Sequence, residues 1–82
     1  MRINRKEIKL GDILKWRNPH FSRDAEVILL VLGESKREAP SRYLGDVERW
    51  TCYVLDKKNT GDTAGTIEDF YFNTNCTIEK LA

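Results

Sequence analysis

The stretch Trp50-Thr51-Cys52-Tyr53-Val54-Leu55-Asp56 decides the fold of this chain. β-Branched, aromatic and small apolar side chains follow one another here without a break, which favours a β-strand. Side chains alternate between the two faces of a strand, so one face holds Trp50, Cys52 and Val54. The other face holds Thr51, Tyr53 and Leu55. Because neither face is purely polar, the pattern predicts a central strand covered on both sides, which in a chain of 82 residues indicates a small barrel.

The composition is that of one globular domain. The chain is 40% hydrophobic and 33% charged, a balance that excludes an intrinsically disordered chain. Its length predicts a single domain with a small core. The longest apolar run, residues 27 to 32, is far shorter than the roughly 20 residues that span a bilayer, and no apolar segment follows the basic start as in a signal peptide. We therefore expect a cytoplasmic protein without a membrane partner.

The cysteine and histidine inventory argues against a metal or disulfide framework. Cys52 and Cys76 are the only cysteines and His20 the only histidine. Small secreted scaffolds usually carry about two to four disulfides, and Cys52 lies inside the predicted central strand, where a free thiol packs as a small hydrophobe. A zinc site takes about four ligands, and these residues show no C-x-x-C spacing. The sequence predicts structural thiols, no metal and no cofactor.

The sequence does not contain a recognisable catalytic constellation. Ser22 follows His20 by two positions, but a catalytic nucleophile needs an oriented base and an oxyanion site, and no third member is visible. Residues 62 to 66 resemble the D-x-x-G stretch of GTPases, yet no phosphate-binding glycine-rich loop precedes them. We therefore expect a protein that is not an enzyme.

The net charge of +1 conceals a gradient along the chain. Residues 1 to 23 hold seven basic and two acidic side chains, and residues 24 to 82 hold seven basic and eleven acidic ones. A basic end can steer a protein toward an anionic partner, although a charge run is usually a solvated face. Because no basic cluster is longer than two residues, the solvated face is the favoured interpretation, and nucleic-acid binding is the alternative.

Hydrophobic patterning predicts five strands after a basic N-terminal arm at residues 1 to 9. The strands are predicted at residues 13–17, 25–32, 48–56, 64–68 and 76–81. The second strand is expected to be covered on both faces, and Gly65 to mark a bulge or a close backbone approach. The connections are expected to be surface loops at residues 18–24 and 34–47, a hairpin at 57–63 with Asn59 and Gly61 suited to positive φ, and a short 3₁₀ or irregular turn at 69–75.

Two short motifs frame this pattern. The pattern of predicted strands begins with Leu10-Gly11-Asp12-Ile13-Leu14-Lys15-Trp16 and ends with Ile78-Glu79-Lys80-Leu81. Residues 27–32, 50–56 and 65–68 lie between these motifs. The order of five short strands, with a long loop between the second and third and one turn before the last, resembles an SH3-like barrel. It is similar to the small stand-alone SH3-like proteins of bacteriophages and some bacteria. The resemblance covers about residues 8 to 82 and implies one barrel domain at residues 10 to 82.

The resemblance does not carry a ligand with it. Proline-peptide-binding SH3 domains have an acidic loop and paired aromatics in a fixed motif that this chain lacks. Nucleic-acid-binding barrels of the KOW type place glycines soon after the opening strand, where this chain has Asn18-Pro19-His20-Phe21. Fold similarity by itself does not assign a function.

Aromatic and basic side chains are the candidates for binding. Most of the eight aromatics are expected to fill the ends of a small barrel, and any that stay exposed beside cations would form a stacking platform or a protein-binding hot spot. The candidate partner-binding residues are Lys15, Arg17, His20, Phe21, Arg23, Arg37, Arg42, Tyr43 and Trp50.

The leading functional prediction is a non-catalytic protein-interaction module that uses the loops at residues 18–24 and 34–47. Such a module could be a phage accessory factor that acts on a host component. Nucleic-acid binding through the basic first 23 residues is the alternative, and the chain is expected to be a monomer or a weak homodimer.

Overall fold

One antiparallel sheet forms the molecule. The computed structural model describes residues 2–18, 23–38, 47–73 and 75–82. Their elements are strand β1 (Arg2–Ile3), a 3₁₀ helix (Arg5–Glu7), and strands β2 (Ile13–Arg17), β3 (Glu26–Glu34), β4 (Glu48–Lys58), β5 (Ile67–Phe72) and β6 (Thr77–Lys80). The strands are arranged in the order β1-β6-β2-β3-β4-β5. The prediction of a mostly β protein is confirmed.

The predicted closed, five-stranded barrel is wrong, because the described residues form an open sheet of six strands. The additional strand is β1, in which Ile3 lies opposite Ile78 of β6. Asn4 then caps the 3₁₀ helix: its side chain accepts a hydrogen bond from the Lys6 N–H at 2.9 Å. Ile8 is buried in the core. Residues 2 to 8, which belong to the predicted arm, thus contribute a strand, a helical turn and a core side chain.

Strand β4 is an interior strand, since it pairs with β3 on one side and β5 on the other. The sequence predicts a central position, whereas β4 lies next to the edge strand β5 and not at the centre of the sheet. Cys52 and Val54 are fully buried, and Trp50 packs against the core from the same face. The opposite face is only partly covered: Thr51 and Tyr53 are half-buried, and Leu55 is 42% exposed. The prediction of a strand covered on both sides is therefore wrong for β4 at Leu55.

Strand β3 shows the same asymmetry. Val27, Leu29 and Val31 are buried on one face, whereas Leu32 on the other side is exposed. The pairing of β3 with β4 shifts register between Val31 and Gly33, which leaves Leu32 unpaired. An irregularity of this kind bends a strand and increases its twist. The long apolar run at residues 27 to 32 thus supplies one core face and one outward apolar face.

The core lies on one face of the sheet and contains Ile8 and side chains from every strand after β1. Its buried members are Ile8, Leu14, Val27, Leu29, Val31, Cys52, Val54, Phe70, Phe72 and Ile78, with Ile3, Trp16, Trp50 and Cys76 packed against them. The described residues include no helix that is long and apolar enough to cross a membrane.

The segment after the hairpin differs most from the sequence prediction. Residues 69 to 72, expected to form a turn, belong to β5, where Phe70 and Phe72 are buried with ring centroids 6.4 Å apart. Gly65 instead lies in the turn before β5, with a φ of +85° and its N–H donating to the Val54 carbonyl at 2.8 Å. Before the last strand, the Cys76 N–H donates to the Asn73 carbonyl at 3.3 Å, and Thr74 between them lies outside the described residues.

Candidate functional site

The larger described cleft lies on the outward face of strands β4 and β5 and has a volume of about 580 Å³. We call it the β4–β5 cleft. Its described lining residues are Arg37, Glu38, Thr51, Ile67, Glu68, Asp69 and Tyr71.

Alternation along β5 places the side chains of this cleft. Because Phe70 and Phe72 enter the core, Asp69 and Tyr71 face outward. The register of the two strands sets Thr51 of β4 directly opposite Asp69. The outward face of this strand pair therefore carries a hydroxyl, a carboxylate and a phenol within a small area.

The chain after β3 forms one wall of the cleft. The Ser35 N–H donates to the Arg49 carbonyl at 3.0 Å, which continues the alignment of this segment with β4. The Arg49 guanidinium in turn donates to the Arg37 carbonyl at 3.1 Å. These two contacts hold residues 35 to 37 beside β4 and bring the Arg37 side chain to Asp69.

Asp69 is the polar centre of the cleft. The Thr51 hydroxyl donates to its Oδ1 at 2.7 Å, and Nε of Arg37 lies 3.5 Å from its Oδ2. The Asp69 side chain is 21% exposed and the Arg37 side chain 78% exposed. An exposed ion pair of this kind contributes only about 0–1 kcal/mol. Thr51 therefore orients the carboxylate, while Arg37 can leave it at low cost.

The cleft has apolar surface beside this carboxylate. Ile67 is 63% exposed, an unusual position for a large aliphatic side chain in a strand. Ile67 of β5 is paired with Tyr53 of β4. Tyr53 is paired in turn with Leu30 of β3, and Leu30 with Ile13 of β2. These four residues form a row across the outward face of four strands, which we call the apolar row. An apolar surface with a few oriented polar groups is the usual character of a protein-binding site.

The structure brings together only part of the predicted basic site. Lys15 and Arg17 lie on the outward face of β2, and the Arg17 guanidinium donates to the Arg23 carbonyl at 3.4 Å. Arg37 instead contacts Asp69 of β5, which is three strands away from β2 in the sheet. Trp50 faces the core, where its buried indole N–H has no hydrogen-bond partner among the described residues. The predictions for His20, Phe21, Arg42 and Tyr43 lie outside the described residues.

The described basic residues among the first 23 positions do not form a continuous basic surface. Arg2 and Lys15 both stand opposite Glu79, one from each side. Arg17 stands opposite Glu26, with Nε 4.0 Å from its carboxylate. Folding thus places acidic side chains from later strands between the basic side chains of the first 23 residues.

A second, smaller cleft of about 260 Å³ lies between β1 and the start of β6. Arg2, Arg5 and Cys76 are among its lining residues. The Trp16 indole N–H donates to the Cys76 sulfur at 3.0 Å, and burial raises the pKa of this thiol above its ordinary value. Cys76 is therefore a protonated packing residue at neutral pH and not an activated nucleophile.

Cys52 is similarly unreactive. Burial, with a smaller effect from the negative charge of Asp69, raises the pKa of its thiol to about 12. Both cysteines are free thiols. Among the residues that the structure describes, no cluster of three or more His, Cys, Asp or Glu side chains is arranged to hold a metal ion.

Sequence reasoning missed most of the cleft, namely Glu38, Thr51, Ile67, Glu68, Asp69 and Tyr71. The signal was present in residues 67 to 72, where Asp69 and Tyr71 alternate with Phe70 and Phe72. The Asp and Asn residues that flank these aromatics are typical of a turn, so the local pattern predicts a turn instead of a strand. The pairing of Thr51 with Asp69 depends on strand register, which no local pattern encodes.

The chain matches no protein-family model, no curated protein and no solved structure.

Proposed function

We propose that this protein is a non-catalytic binding module that takes an extended segment of another protein in the β4–β5 cleft. The single observation that carries the proposal is the combination found there: a carboxylate oriented by Thr51 at 2.7 Å beside Ile67, a large aliphatic residue that is 63% exposed. Apolar contact supplies affinity at such a site, and an oriented polar group supplies specificity.

The extent of the apolar surface supports a protein ligand over a small metabolite. The cleft continues into the apolar row, so a ligand that fills it can extend toward Tyr53 and Leu30 along the outward face. An extended peptide matches this shape, since its alternate side chains contact one surface. That a phage encodes such a module against a host protein stays a prediction from the sequence resemblance.

Selection from a displayed library of random dodecapeptides tests the proposal without a known partner. We expect peptides that bind the intact protein and lose affinity for an Ile67→Glu variant, because a charge there disrupts apolar contact. Leu10→Glu is the matched control, since Leu10 is also strongly exposed, at 70%, but does not line the cleft. Circular dichroism establishes that both variants fold.

Two results contradict the proposal. The first is a selection that enriches no peptide above background at protein concentrations that detect micromolar binding. The second is a set of peptides whose affinity falls equally for Ile67→Glu and Leu10→Glu, which would show that they do not bind in the cleft.

Nucleic-acid binding is the second candidate function, and the smaller cleft with Arg2 and Arg5 is the observation that favours it. The acidic neighbours Glu79 and Glu26 oppose it, because they reduce the positive potential of the outward face. Fluorescence anisotropy with a labelled single strand decides the matter: phosphate-driven binding weakens steeply as salt increases. Loss of that binding in an Arg2→Ala, Arg5→Ala double variant would support this candidate.

A further inference from the structure

We infer that the protein segment bound in the β4–β5 cleft presents an arginine or lysine side chain, which takes the place on Asp69 that Arg37 holds in the free protein. This inference rests on the proposed function and specifies the chemistry of its ligand. It makes Arg37 a competitor built into the site.

The geometry at Asp69 indicates that its carboxylate can form a shorter ion pair than the one it forms with Arg37. Thr51 already satisfies one oxygen at 2.7 Å. The other oxygen lies 3.5 Å from Nε of Arg37, which is longer than the roughly 2.7–2.9 Å of a well-formed charge-assisted hydrogen bond. The Arg37 side chain is 78% exposed, and apart from Asp69 its guanidinium has no side-chain partner among the described residues, so it can move into solvent.

The charge of Asp69 selects the same ligand. The described lining of the cleft includes the acidic residues Glu38, Glu68 and Asp69 and the basic residue Arg37, but alternation along β5 turns Glu68 toward the face of Phe70. Arg49 of β4 stands opposite Tyr71 on the outward face. An acidic segment placed on Asp69 would be repelled by its carboxylate. A neutral segment that covered the cleft and displaced Arg37 would leave the Asp69 carboxylate desolvated and unpaired, which is costly. A cationic side chain avoids both penalties.

The apolar neighbours favour arginine in particular. A guanidinium can form two parallel hydrogen bonds with a carboxylate, and its flat face and methylene groups contact apolar and aromatic side chains. Ile67 and Tyr71 flank Asp69 at two-residue spacing on the same face of β5. An arginine that reaches Asp69 therefore lies between an aliphatic and an aromatic side chain.

A matched pair of peptides tests the inference. The most enriched dodecapeptide from the library is synthesised once with its arginine and once with citrulline, which has the same shape and no charge. We expect the citrulline form to bind at least about tenfold more weakly, as for loss of a hydrogen bond between charged groups. In Asp69→Asn the two peptides should bind with nearly equal affinity.

The competitor role of Arg37 predicts a gain of binding. Arg37→Ala should bind the arginine peptide about two- to fivefold more tightly, because no internal cation has to leave. Arg17→Ala is the matched control: this exposed arginine also pairs with a carboxylate, that of Glu26, but on β2. It should leave the affinity unchanged.

The outcomes separate this inference from the proposed function. Enriched peptides without arginine or lysine, or weaker binding by Arg37→Ala, would overturn the cationic ligand and the competitor role. If such peptides still lose affinity for Ile67→Glu, the binding module itself stands. If no peptide depends on Ile67, the proposed function fails and the inference fails with it.

Discussion

The hydroxyl of Thr51 donates to Oδ1 of Asp69 at 2.7 Å, between directly opposed residues of strands β4 and β5. This cross-strand hydrogen bond orients the Asp69 carboxylate, and the second carboxylate oxygen, Oδ2, lies near Nε of Arg37. It thereby links the register of the sheet to the chemistry of the cleft.

Removal of this bond should cost both stability and binding. Thr51→Val keeps the β-branched shape but loses the donor, and we expect the free energy of unfolding to fall by about 0.5–1.5 kcal/mol. Urea denaturation followed by tryptophan fluorescence measures the change. Thr63→Val, at an exposed position of the hairpin loop, is the control and should stay within about 0.5 kcal/mol of the wild type. Equal effects of the two substitutions would show that the Thr51 hydroxyl does not contribute.

The buried thiol of Cys52 predicts a loss of stability in alkali. Its pKa is raised from 9.0 to about 12 in the folded protein. Above pH 9 the unfolded chain therefore loses a proton that the folded chain keeps, so stability is fully present below this pH and decreases as the pH rises toward 12. The contribution of one such group reaches about 1.4 kcal/mol per pH unit.

Cys52→Ala isolates this contribution, because Cys76 and every other titrating group remain. We expect the stability of the variant to decrease less than that of the wild type between pH 8 and pH 10.5, as measured by urea denaturation at each pH. Parallel decreases in the two proteins would contradict the assignment.

The positive φ of Gly65 predicts a backbone penalty for any side chain there. Gly65 has a φ of +85°, and an added Cβ would lie 3.8 Å from the Tyr53 hydroxyl, which is an ordinary contact. The cost of Gly65→Ala should therefore come from the backbone and amount to about 1–2 kcal/mol. Gly61→Ala in the same hairpin lacks the positive φ and should not destabilise the protein. Thermal unfolding of both variants tests this, and a Gly65→Ala protein as stable as the wild type would contradict it.

A fully buried leucine and a strongly exposed one can be compared to test where the core lies. Leu14 is fully buried in β2, and Leu14→Ala should destabilise the protein by about 2–5 kcal/mol. Leu10, four residues earlier and 70% exposed, should tolerate alanine with little change. Chemical denaturation distinguishes the two, and a similar cost at both positions would contradict the burial of Leu14 in the core.

Local pattern predicted the parts of this fold that depend on neighbouring residues. Cys52 and Val54 share a buried face as alternation requires, and Asn59 adopts a φ of 55° in the hairpin as predicted. Gly65, expected to mark a bulge or a close backbone approach within a strand, lies in the turn before β5 with a φ of +85°. Gly61, also expected to suit a positive φ, does not adopt one.

The parts that the sequence could not predict depend on residues far apart in the chain. Ile3 forms a strand only because Ile78 lies opposite to it, and nothing local to residues 1 to 9 indicates this. The candidate site also depends on distant pairings: Arg37 follows β3, and Asp69 belongs to β5. Basic residues that seemed a unit in sequence are separated by Glu26 and Glu79 once the strands pair.

The most direct test of the account is nuclear magnetic resonance mapping of an enriched peptide on the uniformly ¹⁵N-labelled protein. We predict saturable shifts of the backbone amides of Thr51, Ile67, Asp69 and Tyr71, which line the β4–β5 cleft. The amides of Lys15 and Arg17 on β2 should not move. Shifts that cluster on β2 and β6 and leave the cleft unchanged would contradict the central claim.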